Sequence, residues 1–226
     1  MPALIKVGWL PYYAYLAGIG LPLVLMFAAA ILYLHVEGLP IRWTILKSRY
    51  RIKHLDRAQW LWIGGIVFVC GIVGTGIMSQ LSSYLIKTGL IPIPDSLPAF
   101  LRPISTDTLQ AYDAAVGGIK NNWWPFLSLF AVLFFNIIGE ELWWRGVVLP
   151  RQEIAFGHWT WVLHGLMWNL FHVFKWWDLL NLLPITLGLS YVAYRYKNTT
   201  PGIVIHYVVN GISLVPFALG ALGLLS

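Results

Sequence analysis

The 226 residues of this chain are 58% hydrophobic and only 11% charged, whereas about a quarter of the residues in a soluble globular protein are charged. This composition excludes an ordinary soluble domain and predicts an integral membrane protein. A net charge of +6 could suggest nucleic acid as a partner, but the basic residues flank apolar runs, where they report orientation and contact with anionic lipid. We therefore expect the lipid bilayer as a partner, and no nucleic acid.

Six apolar runs are candidates for membrane spans, because a helix needs about 20 apolar residues to cross a hydrocarbon layer of roughly 30 Å. The runs are Pro11 to His35, Trp60 to Ile86, Trp123 to Val148, His158 to Phe174, Trp177 to Tyr194 and Pro201 to Leu225. The sequence shows no internal repeat and no soluble domain. It predicts an all-α, polytopic transmembrane helical bundle of about six spans, forming a single integral-membrane domain over residues 1–226 with a motif-bearing core over about 123–226.

The longest polar connection, residues 87 to 122, lies between the second and third runs. It holds four prolines and then a mildly amphipathic run from Thr106 to Ile119, which predicts an irregular extracytoplasmic loop followed by a short interfacial helix. When alternate loops are assigned to opposite sides, ten basic residues fall on one side, Arg145 among them, and five on the other. The positive-inside rule then places both termini outside the cytoplasm.

The segment from Phe135 to Arg151 places two adjacent glutamates and an arginine within an apolar run. A charge at membrane depth costs about 2.5 to 3.5 kcal/mol even on the lenient insertion scale, so such groups are usually kept for function or for pairing. Glu141 and Arg145 are four residues apart on one helix face, where the arginine can neutralise the carboxylate. Glu140 is offset by about 100° and shares its face with Asn136. One glutamate therefore has a structural partner, and the other is free.

Two later runs carry polar residues at helical spacing. His164, Trp168 and His172 recur every four residues in the fourth run, and His206 and Asn210 do so in the last, so each set faces one direction. Their depths along the helices agree with that of the glutamates within a turn or two, which permits a common polar pocket. Taken alone, His206 and Asn210 are interpreted as interhelical hydrogen-bond partners rather than as functional residues.

Three short motifs follow one another on separate runs: EExxxR at Glu140, Glu141 and Arg145, the FxxxH pattern at Trp168 and His172, and HxxxN at His206 and Asn210. In this order they resemble the CAAX protease and bacteriocin-processing (CPBP/Abi) family of intramembrane glutamic endopeptidases, which includes the CAAX prenyl endopeptidases. The upstream sequence HVEGLPIRW, followed by a basic loop, is similar to bacterial members and suggests a prokaryotic plasma (inner) membrane.

The resemblance implies that Glu140 and His172 hold and deprotonate a water that attacks a substrate amide. It further implies that His206 and Asn210 stabilise the resulting oxyanion. Trp168 departs from the family's phenylalanine, which affects the expected pocket shape more than the chemistry, and the extra His164 has no family role. The residues expected to support the site are Glu141, Arg145, Trp168 and Asn136.

The predicted function is an intramembrane endopeptidase that cleaves a membrane-associated protein or peptide, near the cytoplasmic half of the bilayer, with no metal and no other cofactor. A carboxylate held away from bulk water suits general-base catalysis, and amide and imidazole N–H groups suit a charge that develops only during the reaction. No oligomeric state follows from the sequence.

Other functional classes remain open on the sequence alone. The principal alternative is a non-enzymatic membrane immunity or scaffolding protein that retains the motifs while binding a partner. A zinc site at Glu140, His172 and His206 is a further one, although the sequence has no HExxH motif. A transporter would also place polar residues at membrane depth, but the sequence shows no inverted repeat.

Overall fold

The computed structural model describes residues 1–103 and 108–225, apart from the side chain of Thr75. Within this part of the chain all regular secondary structure is helical, which confirms the all-α prediction. The α-helices are α1 (Pro2–Lys6), α2 (Pro11–Val36), α3 (Trp43–Arg49), α4 (Arg57–Val69), α5 (Ser79–Lys87), α6 (Thr108–Val116), α7 (Trp124–Glu140), α8 (Leu149–Phe156), α9 (Thr160–Phe171), α10 (Leu179–Tyr196), α11 (Thr200–Gly211) and α12 (Val215–Ala221).

Two π-helical segments join α-helices without a break. Cys70–Met78 continues α4 into α5, and Glu141–Val148 continues α7 into α8. Short 3₁₀ turns occupy Ala99–Leu101, Gly157–Trp159, Val173–Asp178 and Ile212–Leu214.

Four helical stretches in the described residues are long and apolar enough to cross a membrane: Pro11–Val36, Arg57–Lys87, Trp124–Phe171 and Thr200–Ala221. They make this an integral membrane protein, as predicted, but the count of six spans is not confirmed. The third stretch contains the third and fourth predicted spans together. The fifth predicted span, α10, is not among the four, because polar residues such as Asn181 and Arg195 reduce its hydropathy.

The third stretch reverses direction at Gly157. This residue has φ +53°, a left-handed conformation that glycine adopts without the steric cost of a side chain. Helix α8 packs against α9 on either side of the turn, so the 48 residues form a helical hairpin rather than one rod. Asn136 and Trp168 therefore lie on antiparallel helices.

Ion pairs gather the loops that follow α2, α8 and α10 at one end of the bundle. Glu37 accepts hydrogen bonds from Arg49 Nε at 2.6 Å and from Arg151 Nη2 at 2.6 Å. Glu153 pairs with Arg51 at 2.8 Å and Lys197 at 3.0 Å. We call this end the basic face, defined by residues 37–57, 149–159 and 195–200.

The position of Arg145 differs from the predicted assignment of basic residues to the two sides of the membrane. The positive-inside assignment places Arg145 among the loop residues, but its side chain is fully buried inside the bundle. Since the other basic residues of that group lie in or beside the basic face, removing Arg145 leaves the charge imbalance between the two ends nearly unchanged.

The opposite face is closed in part by α6 and by an aromatic cluster. Tyr12 of α2 packs on Phe217 of α12 with ring centroids 5.2 Å apart, and Tyr112 of α6 packs on Phe217 at 5.4 Å. Within the run Thr106 to Ile119, where the sequence predicts an interfacial helix, the structure has the helix α6 with one side packed on the bundle; residues 104–107 lie outside the described part of the chain. We call this end the opposite face, defined by residues 88–103, 108–122 and 172–178.

The pH dependence of stability should reveal the contribution of the ion pairs of Glu37 with Arg49 and Arg151. Hydrogen bonding to Arg49, and secondarily to Arg151, holds the pKa of Glu37 below its ordinary value of 4.5. A carboxyl group with a lowered folded-state pKa stabilises the fold above its unfolded pKa, and this contribution is lost as the pH falls through the folded value. We expect Glu37→Gln to lower the thermal midpoint at pH 7 by about 1 to 4 °C.

The difference between wild type and Glu37→Gln should shrink toward zero as thermal unfolding in detergent is repeated at pH values falling below 4.5. Asp95→Asn, in an exposed part of the opposite face, is the matched control and should show no such difference. An equal loss at all pH values would contradict the ionic role of Glu37.

Candidate active site

The π-helical segment Glu141–Val148 begins immediately after Glu140 and sets the geometry of the site. Such segments are rare and often occur where a helix carries functional residues. The basic face holds this one in place, because Arg49 Nη1 donates to the carbonyl oxygen of Gly146 at 2.9 Å. The Tyr50 ring lies so close to Gly146 that a Cβ there would collide with it. Only glycine therefore allows this close packing of loop on helix.

Glu140 is almost completely buried, and both of its carboxylate oxygens have hydrogen-bond donors. Asn136, one turn earlier in α7, donates through Nδ2 to Oε1. Trp168 of α9 donates from Nε1 to Oε2 at 2.7 Å. A buried carboxylate needs such donors to offset the loss of hydration. The two bonds fix its position between α7 and α9.

His172 lies at the end of α9 with one ring nitrogen directed at Glu140. Its Nδ1 is 2.9 Å from the carbonyl oxygen of Trp168, and since a carbonyl only accepts, Nδ1 carries the proton. In the neutral ring Nε2 is then an acceptor, and it lies 4.0 Å from Glu140 Oε2. This distance is too long for a direct hydrogen bond and suits a bridging water.

A line of amides connects α11 to the buried glutamate. Asn210 donates from Nδ2 to Asn136 Oδ1 at 3.0 Å, and Asn136 in turn donates to Glu140. An amide group has two N–H donors and one carbonyl acceptor. Asn136 uses both kinds of group here, whereas Asn210 retains a second N–H for another acceptor.

Glu141 contacts both Arg145 of its own helical stretch and His206 of α11. Its Oε1 lies 3.1 Å from Arg145 Nη1, the predicted pair within one helix. The same oxygen lies 3.1 Å from His206 Nδ1 on α11, a contact that helical spacing cannot reveal because it joins different helices. Glu141 therefore orients His206 as well as neutralising Arg145.

Trp168 contacts both the charged groups and the histidines of the site. Its indole ring lies 3.6 Å from the Arg145 guanidinium carbon, measured to the ring centroid, and its Nε1 donates to Glu140. Its ring also packs on His172 and His206, with centroids 5.7 Å and 5.5 Å away. A phenylalanine could provide the ring contacts but not the N–H donor. The departure at this position consequently affects the chemistry of the carboxylate as well as the shape of the pocket.

These side chains meet at a cavity of about 770 Å³, within the usual range for small-molecule and substrate pockets. The walls are largely aromatic and aliphatic, and the polar groups converge at one end. Glu141 and Arg145 lie behind the cavity wall and are not among its lining residues. The predicted site residues that line the cavity are Asn136, Glu140, Trp168, His172, His206 and Asn210.

His164 lies outside this site. Its Nδ1 contacts Gln152 Oε1 at 2.6 Å, and its ring packs edge-on against Trp144. It is a buried core residue that joins α9 to α8. Among the described residues, no three histidine, cysteine or acidic side chains are grouped as a metal site requires. Glu140, His172 and His206 accordingly do not form a zinc-ligand set in this arrangement.

Comparison with known proteins identifies the segment that carries the motifs. Residues 122–212 match the model of the family described as type II CAAX prenyl endopeptidase Rce1-like. The matched segment contains each of the six residues that line the polar end of the cavity. No curated protein and no solved structure matches the chain.

Gly202 provides a test of the contact between Glu141 and His206. A Cβ on Gly202 would overlap the Glu141 carboxylate, whereas a Cβ on Gly211, at the other end of α11, would meet open space. We expect Gly202→Ala to destabilise the protein by about 1 to 3 kcal/mol, the usual range for overpacking a filled interior. Thermal unfolding in detergent should show a lower midpoint for Gly202→Ala and no decrease for the control Gly211→Ala. Equal midpoints for the two variants would contradict the packing described.

Proposed function

Since the chain belongs to the Rce1-like CAAX prenyl endopeptidase family, which is the CPBP/Abi family, we propose that it is an intramembrane glutamic endopeptidase. Its substrate is a membrane-associated protein or peptide, and it acts in a prokaryotic plasma membrane. The observation that carries the proposal is the 4.0 Å separation of Glu140 Oε2 and His172 Nε2 at the polar end of the cavity. Both atoms are hydrogen-bond acceptors, so one water can donate an O–H to each.

The proposed reaction begins at that water. Glu140 takes a proton from the water as its oxygen attacks the carbonyl carbon of the scissile amide, while His172 accepts the other O–H and orients the nucleophile. The C–O bond forms as the carbonyl π bond breaks, which leaves a tetrahedral oxyanion. The C–N bond then breaks, and the proton held by Glu140 passes to the departing amine. General-base assistance of this kind contributes typically about 10² to 10⁴ in rate.

The oxyanion would lie between α9 and α11. Asn210 has one N–H that is not used by Asn136. His206, held by Glu141 through Nδ1, is the second residue that we propose as an N–H donor to the oxyanion. The two donors come from successive turns of one helix. Donors fixed before the reaction stabilise a developing charge more effectively than water, which must reorient.

Glu140→Gln is the direct test of the proposed base. Glutamine keeps the shape and can still accept the Trp168 hydrogen bond, but it cannot take a proton from water. We expect cleavage to fall at least about 100-fold. The measurement compares the membrane proteomes of cells that carry wild type or Glu140→Gln, and seeks a protein whose terminal peptide persists uncut in the variant.

The matched control for this experiment is Glu153→Gln, which changes a glutamate of the basic face far from the cavity. It should leave the proteome as in wild type. Identical proteomes for wild type and Glu140→Gln, with both proteins folded, would instead favour a non-enzymatic immunity or scaffolding role.

Trp168→Phe tests the hydrogen bond that distinguishes this chain from the family pattern. The substitution keeps an aromatic ring against Arg145 and removes the donor to Glu140 Oε2. A hydrogen bond to a charged group contributes about 1.5 to 3 kcal/mol, so we expect a loss of roughly 10- to 100-fold in cleavage rate. The rate is measured on the protein identified in the proteome comparison, with Trp60→Phe, an exposed tryptophan, as the control. Full activity of Trp168→Phe would show that this bond plays no part in the reaction.

A further inference from the structure

The cavity at the candidate site occupies only one half of the bundle. It is lined by the first half of α2, by α7 up to Glu140, by the end of α9, by the first half of α10 and by the second half of α11. All of these parts are nearer the opposite face than the basic face. Lys175 and Asp178, which belong to the opposite face, are also among its lining residues.

The bundle is filled between the site and the basic face. Directly beyond Glu140 lie the fully buried side chains of Glu141 and Arg145, and beyond them the buried Tyr50 ring packs on Gly146. Leu189 and Ile205 are buried at the same level in α10 and α11. None of the described residues of the basic face lines the cavity. The cavity that contains Glu140 therefore does not extend to the basic face.

The charges of the two ends identify the sides of the membrane. Cytoplasmic loops of membrane proteins carry an excess of lysine and arginine when the loops are short. The basic face holds most of the basic residues of the chain, while the loops of the opposite face hold few. The basic face is accordingly the cytoplasmic one, and the cavity lies toward the other side.

We propose that substrates reach Glu140 from the extracytoplasmic side, so that the substrate class is the membrane-associated segment of an exported or translocated protein. The inference rests on the proposed function for the identity of the occupant, but the direction of access does not depend on hydrolysis. It differs from the sequence-based expectation of cleavage near the cytoplasmic half of the bilayer. That expectation considered helix depth alone, which does not define where a cavity opens.

The lining indicates what such a segment looks like. Between its rim and its polar end the cavity presents rings and aliphatic chains, including Tyr15, Phe174 and Leu182. At the rim, Lys175 Nζ and Asp178 Oδ2 lie 3.8 Å apart. An extended apolar stretch fits these walls, and polar or charged flanking residues can remain at the rim in contact with water.

Cysteine labelling tests the direction of access without a known substrate. The variants carry Cys70→Ser, which removes the only native cysteine. The thiol of Lys175→Cys then measures the accessibility of the cavity rim, and that of Lys53→Cys measures the accessibility of the basic face. A charged, membrane-impermeant maleimide is added to intact bacterial cells that carry the full chain, and in parallel to lysed cells. We expect Lys175→Cys to be labelled in intact cells and Lys53→Cys to be labelled only after lysis.

A third variant, Val209→Cys, places a thiol on the cavity wall next to Asn210. A small charged thiosulfonate should modify it in intact cells, and at least about tenfold faster than a thiol placed at Ile205, which is buried on the same helix. Labelling of Lys53→Cys but not Lys175→Cys in intact cells would overturn the proposal. Modification of Val209→Cys only after lysis would overturn it as well.

Adding Glu140→Gln to the same variants separates this inference from the proposed function. The labelling pattern should be unchanged, because access to the cavity does not require the base. If the labelling pattern is as expected but no protein is cleaved, the proposed endopeptidase function is wrong and the proposed extracytoplasmic access to the cavity stands. If a protein is cleaved but Lys53→Cys rather than Lys175→Cys is labelled in intact cells, the endopeptidase function stands and the proposed direction of access is wrong.

Discussion

Three ionisable groups buried within a membrane bundle are the constraint on which the site depends. Glu140 is 1% exposed, and Glu141 and Arg145 are fully buried. Each would be costly at this depth without partners. Glu141 provides the carboxylate beside Arg145, and the two glutamates need donors from neighbouring helices. Trp168 of α9 provides one by bonding to Glu140, and His206 of α11 provides another by bonding to Glu141. Satisfying the charges of α7 and its π-helical continuation thus determines where α9 and α11 lie.

The two glutamates consequently differ in whether their carboxylate can reach a substrate in the cavity. Glu141 is occupied by Arg145 and His206 behind the cavity wall. Glu140 is held by Asn136 and Trp168 and still faces the cavity, across from His172. Adjacent residues in a helix point in directions about 100° apart, which is why one carboxylate can serve the architecture while its neighbour faces the space where a substrate would bind.

Much of this arrangement could be predicted from the amino acids. Apolar composition requires a membrane environment, and the spacing of EExxxR, of Trp168 with His172 and of His206 with Asn210 places each set on one helix face. These are local properties, because helical periodicity relates residues within three or four positions. The same locality leaves the number of spans unconfirmed: a hydropathy window measures how apolar a run is, whereas the boundary between two spans depends on where the chain turns, as it does at Gly157 inside the stretch Trp124–Phe171.

Contacts between helices were decided only by the tertiary structure. The bond from Trp168 to Glu140, the second partner of Glu141 and the opening of the cavity at one end join residues 28 to 74 positions apart, beyond the reach of any periodic pattern. The π-helical segment after Glu140 also escapes the sequence, because its wider turns are fixed by packing of Tyr50 and Arg49 on Gly146. The sequence by itself determined which chemical groups lie at membrane depth. Packing decided which of them meet, because an unpaired polar group is costly in a low-dielectric interior. It brings a hydrogen-bond donor to each oxygen of Glu140, and it places the Arg145 guanidinium beside the Glu141 carboxylate and the Trp168 ring.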